Sequence, residues 1–397
     1  MKKTSYISVR NNVTGFSFAN LGIFTGLGGA LVSAIYSLVL LDILGTSTFV
    51  GLYSSVYNIF GFIIALSLGE ALRFFAKSKL FYASLLAVSA IYFMMGFGIK
   101  AQTFIMLDFF SVIPLMFIGT LIPLFMADFA GKGGIAGLSG RYMMWLHIGA
   151  VFAPMIAMSV AGEFGLRSVF MIASIVYLLA LVLFKRYKIV EFDKRIPKLT
   201  PKRTINSIWR ETRFFFKNIN YARAYVTSFG CTALGALRGL YVPIIIIEAG
   251  FGKDMLGIIL TIGLIPYILL AEPVGHLAKK YGKVMTNYTA GISLVIYSII
   301  VVAMYFVAPW TMLILFVLLK IPASVQGTLH DLMFFNVAKD SDRSRYFSIF
   351  NTSKKLSRIF APLLGAAFIV AFGSTSAIWL LSGVIGLLAA ATLLWKK

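Results

Sequence analysis

Arg238 and Lys320 stand deep inside long apolar stretches of this sequence, and their depth is what gives them chemical interest. An isolated charge at the centre of a bilayer costs about 2.5 to 3.5 kcal/mol even on a lenient insertion scale. Two such costs are seldom retained without a role. A guanidinium and an ammonium placed there offer a cationic pocket for a carboxylate, phosphate or sulfonate group. The competing reading is structural, an ion pair with Asp108 in the fourth apolar stretch or with Asp42 at the outer end of the first. Asp108, Glu272 and His147 are also the candidates for carrying a proton, although a lone buried histidine is more often a hydrogen-bonded packing residue.

The elements that must position these groups are written in the charge pattern. No Asp, Glu, Lys or Arg occurs in the 31 residues between Arg10 and Asp42, the 27 between Asp42 and Glu70, or the 20 between Lys79 and Lys100. Each run is long enough for a helix to cross the hydrocarbon core, which takes about 20 residues. With 59% hydrophobic and 13% charged residues and a mean hydropathy of +0.90, the chain is expected to be an all-α membrane protein. Breaks at Gly, Pro and charge predict twelve spans, at 17–43, 47–69, 79–99, 103–127, 141–161, 167–185, 221–247, 254–274, 285–307, 310–335, 346–370 and 374–395.

A net charge of +22 would point a soluble chain toward nucleic acid. Here 31 of the 36 basic residues fall on one side of the predicted spans and three, Lys100, Arg167 and Lys253, on the other. That asymmetry puts both termini in the cytoplasm, and no nucleic-acid partner is expected. The first apolar run is far longer than a signal-peptide core and reads as an anchor in the plasma (inner) membrane.

The pattern also repeats. Gly51 and Gly69 are 18 residues apart, as are Gly257 and Gly275, and the pairs are offset by 206. The same offset brings Asp42 onto Glu248, and Phe152–Ala153–Pro154 recurs 208 residues later at Phe360–Ala361–Pro362. Two six-helix halves are expected, residues 1–185 and 221–397, both starting inside and so related by an axis along the membrane normal. Between them, residues 186–220 form a basic cytoplasmic loop. Ile205, Ile208, Trp209, Thr212, Phe216 and Ile219 recur there at helical spacing among Lys and Arg, which predicts a helix lying on anionic lipid headgroups. A cytoplasmic extension of the seventh span is the alternative.

Several chemistries drop out. Cys231 is alone, so no intrachain disulfide or cysteine metal cluster can form, and no cofactor or metal is expected. Gly131–Lys132–Gly133–Gly134 lacks both the Ser or Thr and the preceding strand of a phosphate loop. Nothing reads as an enzyme. Lys354, Lys355 and Arg358, in the first turns of the eleventh span, are read as facing lipid phosphates or an inner vestibule.

A parallel 6+6 repeat with a long basic central loop resembles the major facilitator superfamily over nearly the whole chain. The local match is Gly275 to Lys283, where Gly275, Lys280, Gly282 and Lys283 fit the family's loop motif and Lys279 stands where the family has an acid. In the first half Gly69 and Lys77 are retained, with Arg73 at the acid position. By resemblance Gly69, Arg73, Lys77, Gly275, Lys279, Gly282 and Lys283 are gating candidates. Gly140, Gly149, Ala153, Pro154 and Ala157 resemble the fifth-span motif of the family's drug and proton antiporters. Gly149, Pro154 and, by repetition, Pro362 are therefore candidate points of helix bending or close packing.

The resemblance implies that spans one, four, seven and ten line a central cavity, and Gly and Pro interrupt those spans, as at Pro114, Pro123, Pro243 and Pro322. It implies a secondary transporter working by alternating access on a small molecule, an organic anion or drug-like solute, with a proton as candidate coupling ion. In that frame Arg238 and Lys320 form a cationic wall, with Asp108 and Asp42 the acids of the opposing half. The alternative is a membrane protein of the same build that does not transport, a sensor, scaffold or lipid-processing partner, and the missing motif acids at Arg73 and Lys279 keep it in view.

Overall fold

A computed structural model describes residues 15–187, 210, 212–338 and 340–394. The predicted loop helix from Lys202 to Lys217 lies largely outside the described residues, whose helical part there is 212–217.

The described chain is helical throughout. Its helices are α1 (Gly15–Leu44), α2 (Ser47–Phe74), α3 (Lys77–Gly96), α4 (Ala101–Val151), α5 (Ala153–Phe164) and α6 (Ser168–Tyr187). They continue as α7 (Ile219–Glu248), α8 (Lys253–Ile262), α9 (Ile265–Phe306), α10 (Pro309–Val337), α11 (Asp340–Phe372) and α12 (Ala377–Leu394). Twelve stretches are long and apolar enough to cross a membrane, from Phe16–Leu44 to Ala377–Leu394, and they follow the predicted spans to within a few residues at most ends. The chain is an integral membrane protein. Backbone polarity explains the uniformity, because in hydrocarbon every N–H and C=O must be satisfied within its own segment.

Two spans are not single helices. The fifth, Met144–Phe164, is interrupted at Phe152, and Pro154 then sits in the first turn of α5. The eighth, Lys253–Leu270, breaks between Ile262 and Ile265, with Pro266 opening α9. Proline lacks the N–H that a helix interior needs but suits a first turn. Pro362, by contrast, lies within the unbroken α11.

Among the described residues four glycines take positive φ, and they fall in two pairs. Gly45 (79°) and Gly250 (90°) close α1 and α7, while Gly165 (88°) and Gly373 (68°) follow α5 and α11. The members of each pair are 205 and 208 residues apart, so the same left-handed corner recurs at matching places of the repeat.

The chain groups into two compact units. One comprises residues up to Ile43, Ile59–Ile196 and Gly252–Thr261; the other comprises Leu44–Asn58, Pro197–Phe251 and Ile262 onward. In the first, α3 packs on α6 through the reciprocal serines Ser89 and Ser174, whose hydroxyls lie 2.9 Å apart. Phe81 there meets Phe184 with ring centroids 4.6 Å apart. Small residues permit the closest approaches, since a Cβ on Gly26 would run into the Leu146 carbonyl and one on Gly149 into the Ile23 carbonyl. In the second unit α7 packs against α11, where Ser353 donates to Ser228 at 3.0 Å, and Tyr241 donates to the Pro362 carbonyl at 3.1 Å. Phe215 stacks on Tyr221 just before α7, separated from it by the capping residue Asn218.

Candidate functional site

Arg238 lies two-thirds of the way along α7, a helix whose apolar run forces its side chain to find partners within the protein. It finds hydroxyls. Its Nη2 donates to Tyr267 Oη at 3.0 Å and its Nη1 to Tyr297 Oη at 3.4 Å, both phenols carried by α9. The guanidinium carbon also sits 5.9 Å from the centre of the Tyr297 ring. Phenols satisfy two of the five guanidinium donors and orient the fork while leaving its charge uncompensated. Cys231 lies seven residues earlier, on the same face of α7.

Lys320 is on α10, only 7% exposed, with its Nζ 4.5 Å from the centre of the Phe316 ring. The ring face supplies some attraction but no hydrogen bond. The side-chain atoms that are wholly enclosed and without a partner among the described residues are Ser37 Oγ, Thr261 Oγ1 and Trp379 Nε1. Arg238 and Lys320 are near enough to repel one another. Glu248 is the acidic side chain described in this unit, and it is exposed at the end of α7, taking the Thr375 hydroxyl at 3.2 Å. No described carboxylate of the unit pairs with either cation.

Asp108 belongs to the other unit. It is 3% exposed in α4, and Tyr36 of α1 donates to its Oδ2 at 2.7 Å. Ser111 caps the same turn by donating to the Asp108 carbonyl at 2.6 Å. Asp42 is exposed near the C-terminal end of α1. His147 is half-buried in α4, beside the contact that Gly149 makes with α1.

Of the gating candidates, Lys77 is half-buried at the start of α3. The side chains of Arg73, Lys279 and Lys283, the glycines Gly69, Gly275 and Gly282, and the proton candidate Glu272 lie outside the described detail, although α2 and α9 run through those positions. The residues that sequence reasoning missed are the tyrosines, Tyr36, Tyr267 and Tyr297. The chain has 18 tyrosines, and nothing in local spacing separates the three that meet charges from the rest.

Residues 224–397 match the family model described as Major Facilitator Superfamily. No curated protein matches the sequence. Among solved structures, a nucleoside transporter, NupG, superposes with a TM-score of 0.77 at 13% identity, covering 96% of this chain and 98% of its own. A peptide transporter, POT, in complex with sulfate gives 0.75 at 13% identity, with 99% and 97% covered. A D-xylose-proton symporter gives 0.72 at 15% identity, with 96% of each chain covered. Likeness at such low identity is likeness of fold.

Proposed function

We propose that this chain, which has the major facilitator fold, is a secondary transporter that moves a small organic anion by alternating access. The observation that carries the reading is the pair of intramembrane cations, Arg238 held by two phenols and Lys320 by one ring face, in a unit whose one described carboxylate, Glu248, pairs with neither. Keeping two such charges in an apolar span is costly, and an anionic solute repays that cost when it binds. Both termini are on the cytoplasmic side of the plasma (inner) membrane, as the basic-residue bias requires.

Asp108 is the proposed proton carrier. Buried in α4 and hydrogen-bonded by Tyr36, it is a carboxylate whose ionisation can be tied to the transport cycle. The solved structures of the same fold include transporters for nucleosides, peptides and D-xylose with a proton, which supports transport while leaving the solute to be read from this chain's own charges.

The test is flux in proteoliposomes. A panel of carboxylates, phosphate esters and sulfonates, each beside a neutral analogue, is offered to the protein and to its Arg238→Gln and Lys320→Gln variants. Selective loss of anion flux supports the reading. Equal loss of both classes makes the cations structural, and absence of flux for every solute returns the chain to the non-transporting alternative.

A further inference from the structure

The basic cluster at the start of α11 has a definite direction. Ser353, Ser357 and Phe350 are fully buried, on the side where Ser353 meets Ser228 of α7. Setting Ser353 at zero and advancing about 100° per residue, Lys354, Arg358 and Lys355 fall at about 100°, 140° and 200°. Phe360, Leu363 and Val370, which are exposed and apolar, fall at about 340°, 280° and 260°. The cations therefore avoid the apolar face that suits lipid. They share a face with Pro362, Gly365 and Ala366, which one or two turns onward is closed by Tyr241 and by Gly51 of α2.

Depth adds a second relation. The contacts Ser228–Ser353 and Tyr241–Pro362 join residues 125 and 121 apart, which fixes α7 and α11 as parallel neighbours. By that register Arg358 lies level with residues 233–237 of α7, within about one turn of Arg238. Lys354 and Lys355 lie near the level of Cys231. Arg358 is nine residues, about 13 Å, beyond the start of its apolar span at Ile349, yet it is exposed and no described side chain accepts from it or neutralises it. Lys355 is close enough to feel its repulsion.

We propose that Lys354, Lys355 and Arg358 form a second anion-binding station, which takes the carboxylate, phosphate or sulfonate group of a solute on its way to Arg238 and Lys320. The proposal rests on the reading of the chain as an anion transporter. A field of one sign along a water-lined path raises the local concentration of the opposite sign.

Single cysteines placed in a Cys231→Ser background test the station without knowledge of the solute. With the protein in lipid nanodiscs, Asn351→Cys on the basic face and Leu363→Cys on the apolar face are exposed to an anionic sulfonatoethyl and a cationic trimethylammonioethyl methanethiosulfonate. The thiol at 351 should react and prefer the anionic reagent, and the thiol at 363 should react with neither. Adding Arg358→Gln should lower the anion-to-cation rate ratio at 351 by about three- to ten-fold, and Arg358→Lys should preserve it. Inorganic phosphate should protect position 351, against chloride at equal ionic strength, and should still do so in Arg238→Gln. An unreactive 351 in protein that elutes as the wild type does, a ratio indifferent to Arg358→Gln, or absence of phosphate protection would each overturn the station. Anion flux untouched by Arg238→Gln while these readouts hold would defeat the central site alone.

Discussion

Tyr36 and Asp108 lie 72 residues apart and are joined by a 2.7 Å hydrogen bond from phenol to carboxylate, which ties α1 to α4. A short bond to a buried acid holds that acid in one rotamer and makes its protonation state an event for both helices. Under the proposed coupling, Asp108→Asn should abolish solute accumulation driven by a pH gradient while leaving solute exchange at equal pH. Tyr36→Phe should weaken accumulation less. Gradient-driven uptake and counterflow, measured side by side in proteoliposomes, decide it; unaltered accumulation in Asp108→Asn removes the proton role.

Arg238 and Lys320 should differ in what they lose. Arg238 is held by two phenols, so Arg238→Lys keeps the charge but gives up the fork. The apparent dissociation constant of an anionic solute should rise by about five- to 150-fold in Arg238→Gln, the equivalent of about 1 to 3 kcal/mol for a lost charge-assisted bond. Arg238→Lys should fall between that variant and the wild type. Neutral solutes of the same size are the control, and titration of binding by tryptophan fluorescence or calorimetry gives the numbers.

The topology can be checked at two exposed turns. Thr46 and Ala308 are exposed at helix ends, whereas Ser47 is buried and hydrogen-bonded to Thr375 at 2.8 Å, which makes it a poor labelling site. In intact cells, Thr46→Cys and Ala308→Cys should react with an impermeant thiol reagent, and Lys198→Cys should not. Labelling at 198 would invert the arrangement derived from the basic residues.

Gly26 and Gly149 pack against opposite carbonyls of the same helix pair, Leu146 and Ile23. Any side chain there meets backbone rather than a flexible neighbour. Gly149→Leu should therefore lower the melting temperature in detergent markedly and reduce the folded yield, with about 1 to 3 kcal/mol lost to overpacking. Gly235→Ala, where the added methyl meets nothing within 4 Å, is the matched control and should be near neutral.

The twelve spans were legible because hydropathy and charge are local quantities, and hydrocarbon tolerates few exceptions. Arg238 and Lys320 were legible for the same reason, as charges where the solvent forbids them. Their partners were not. Tyr267 and Tyr297 lie 29 and 59 residues from Arg238, and such pairings depend on which helices become neighbours. The break at Phe152 was only half legible, since Pro154 announced a disturbance but not that the helix would restart one residue before it.

The paired corners at Gly45 and Gly250, and at Gly165 and Gly373, show what the two halves still have in common. Moving 206 residues from the candidate charges shows what they do not: Arg238 answers to Val32, Lys320 to Pro114, and Asp108 to Ile314. The acids Asp42 and Glu248 coincide at that offset but these three buried charges do not, a division of labour within one duplicated plan. Each copy can thus change its own interior charges while the shared corners preserve the frame.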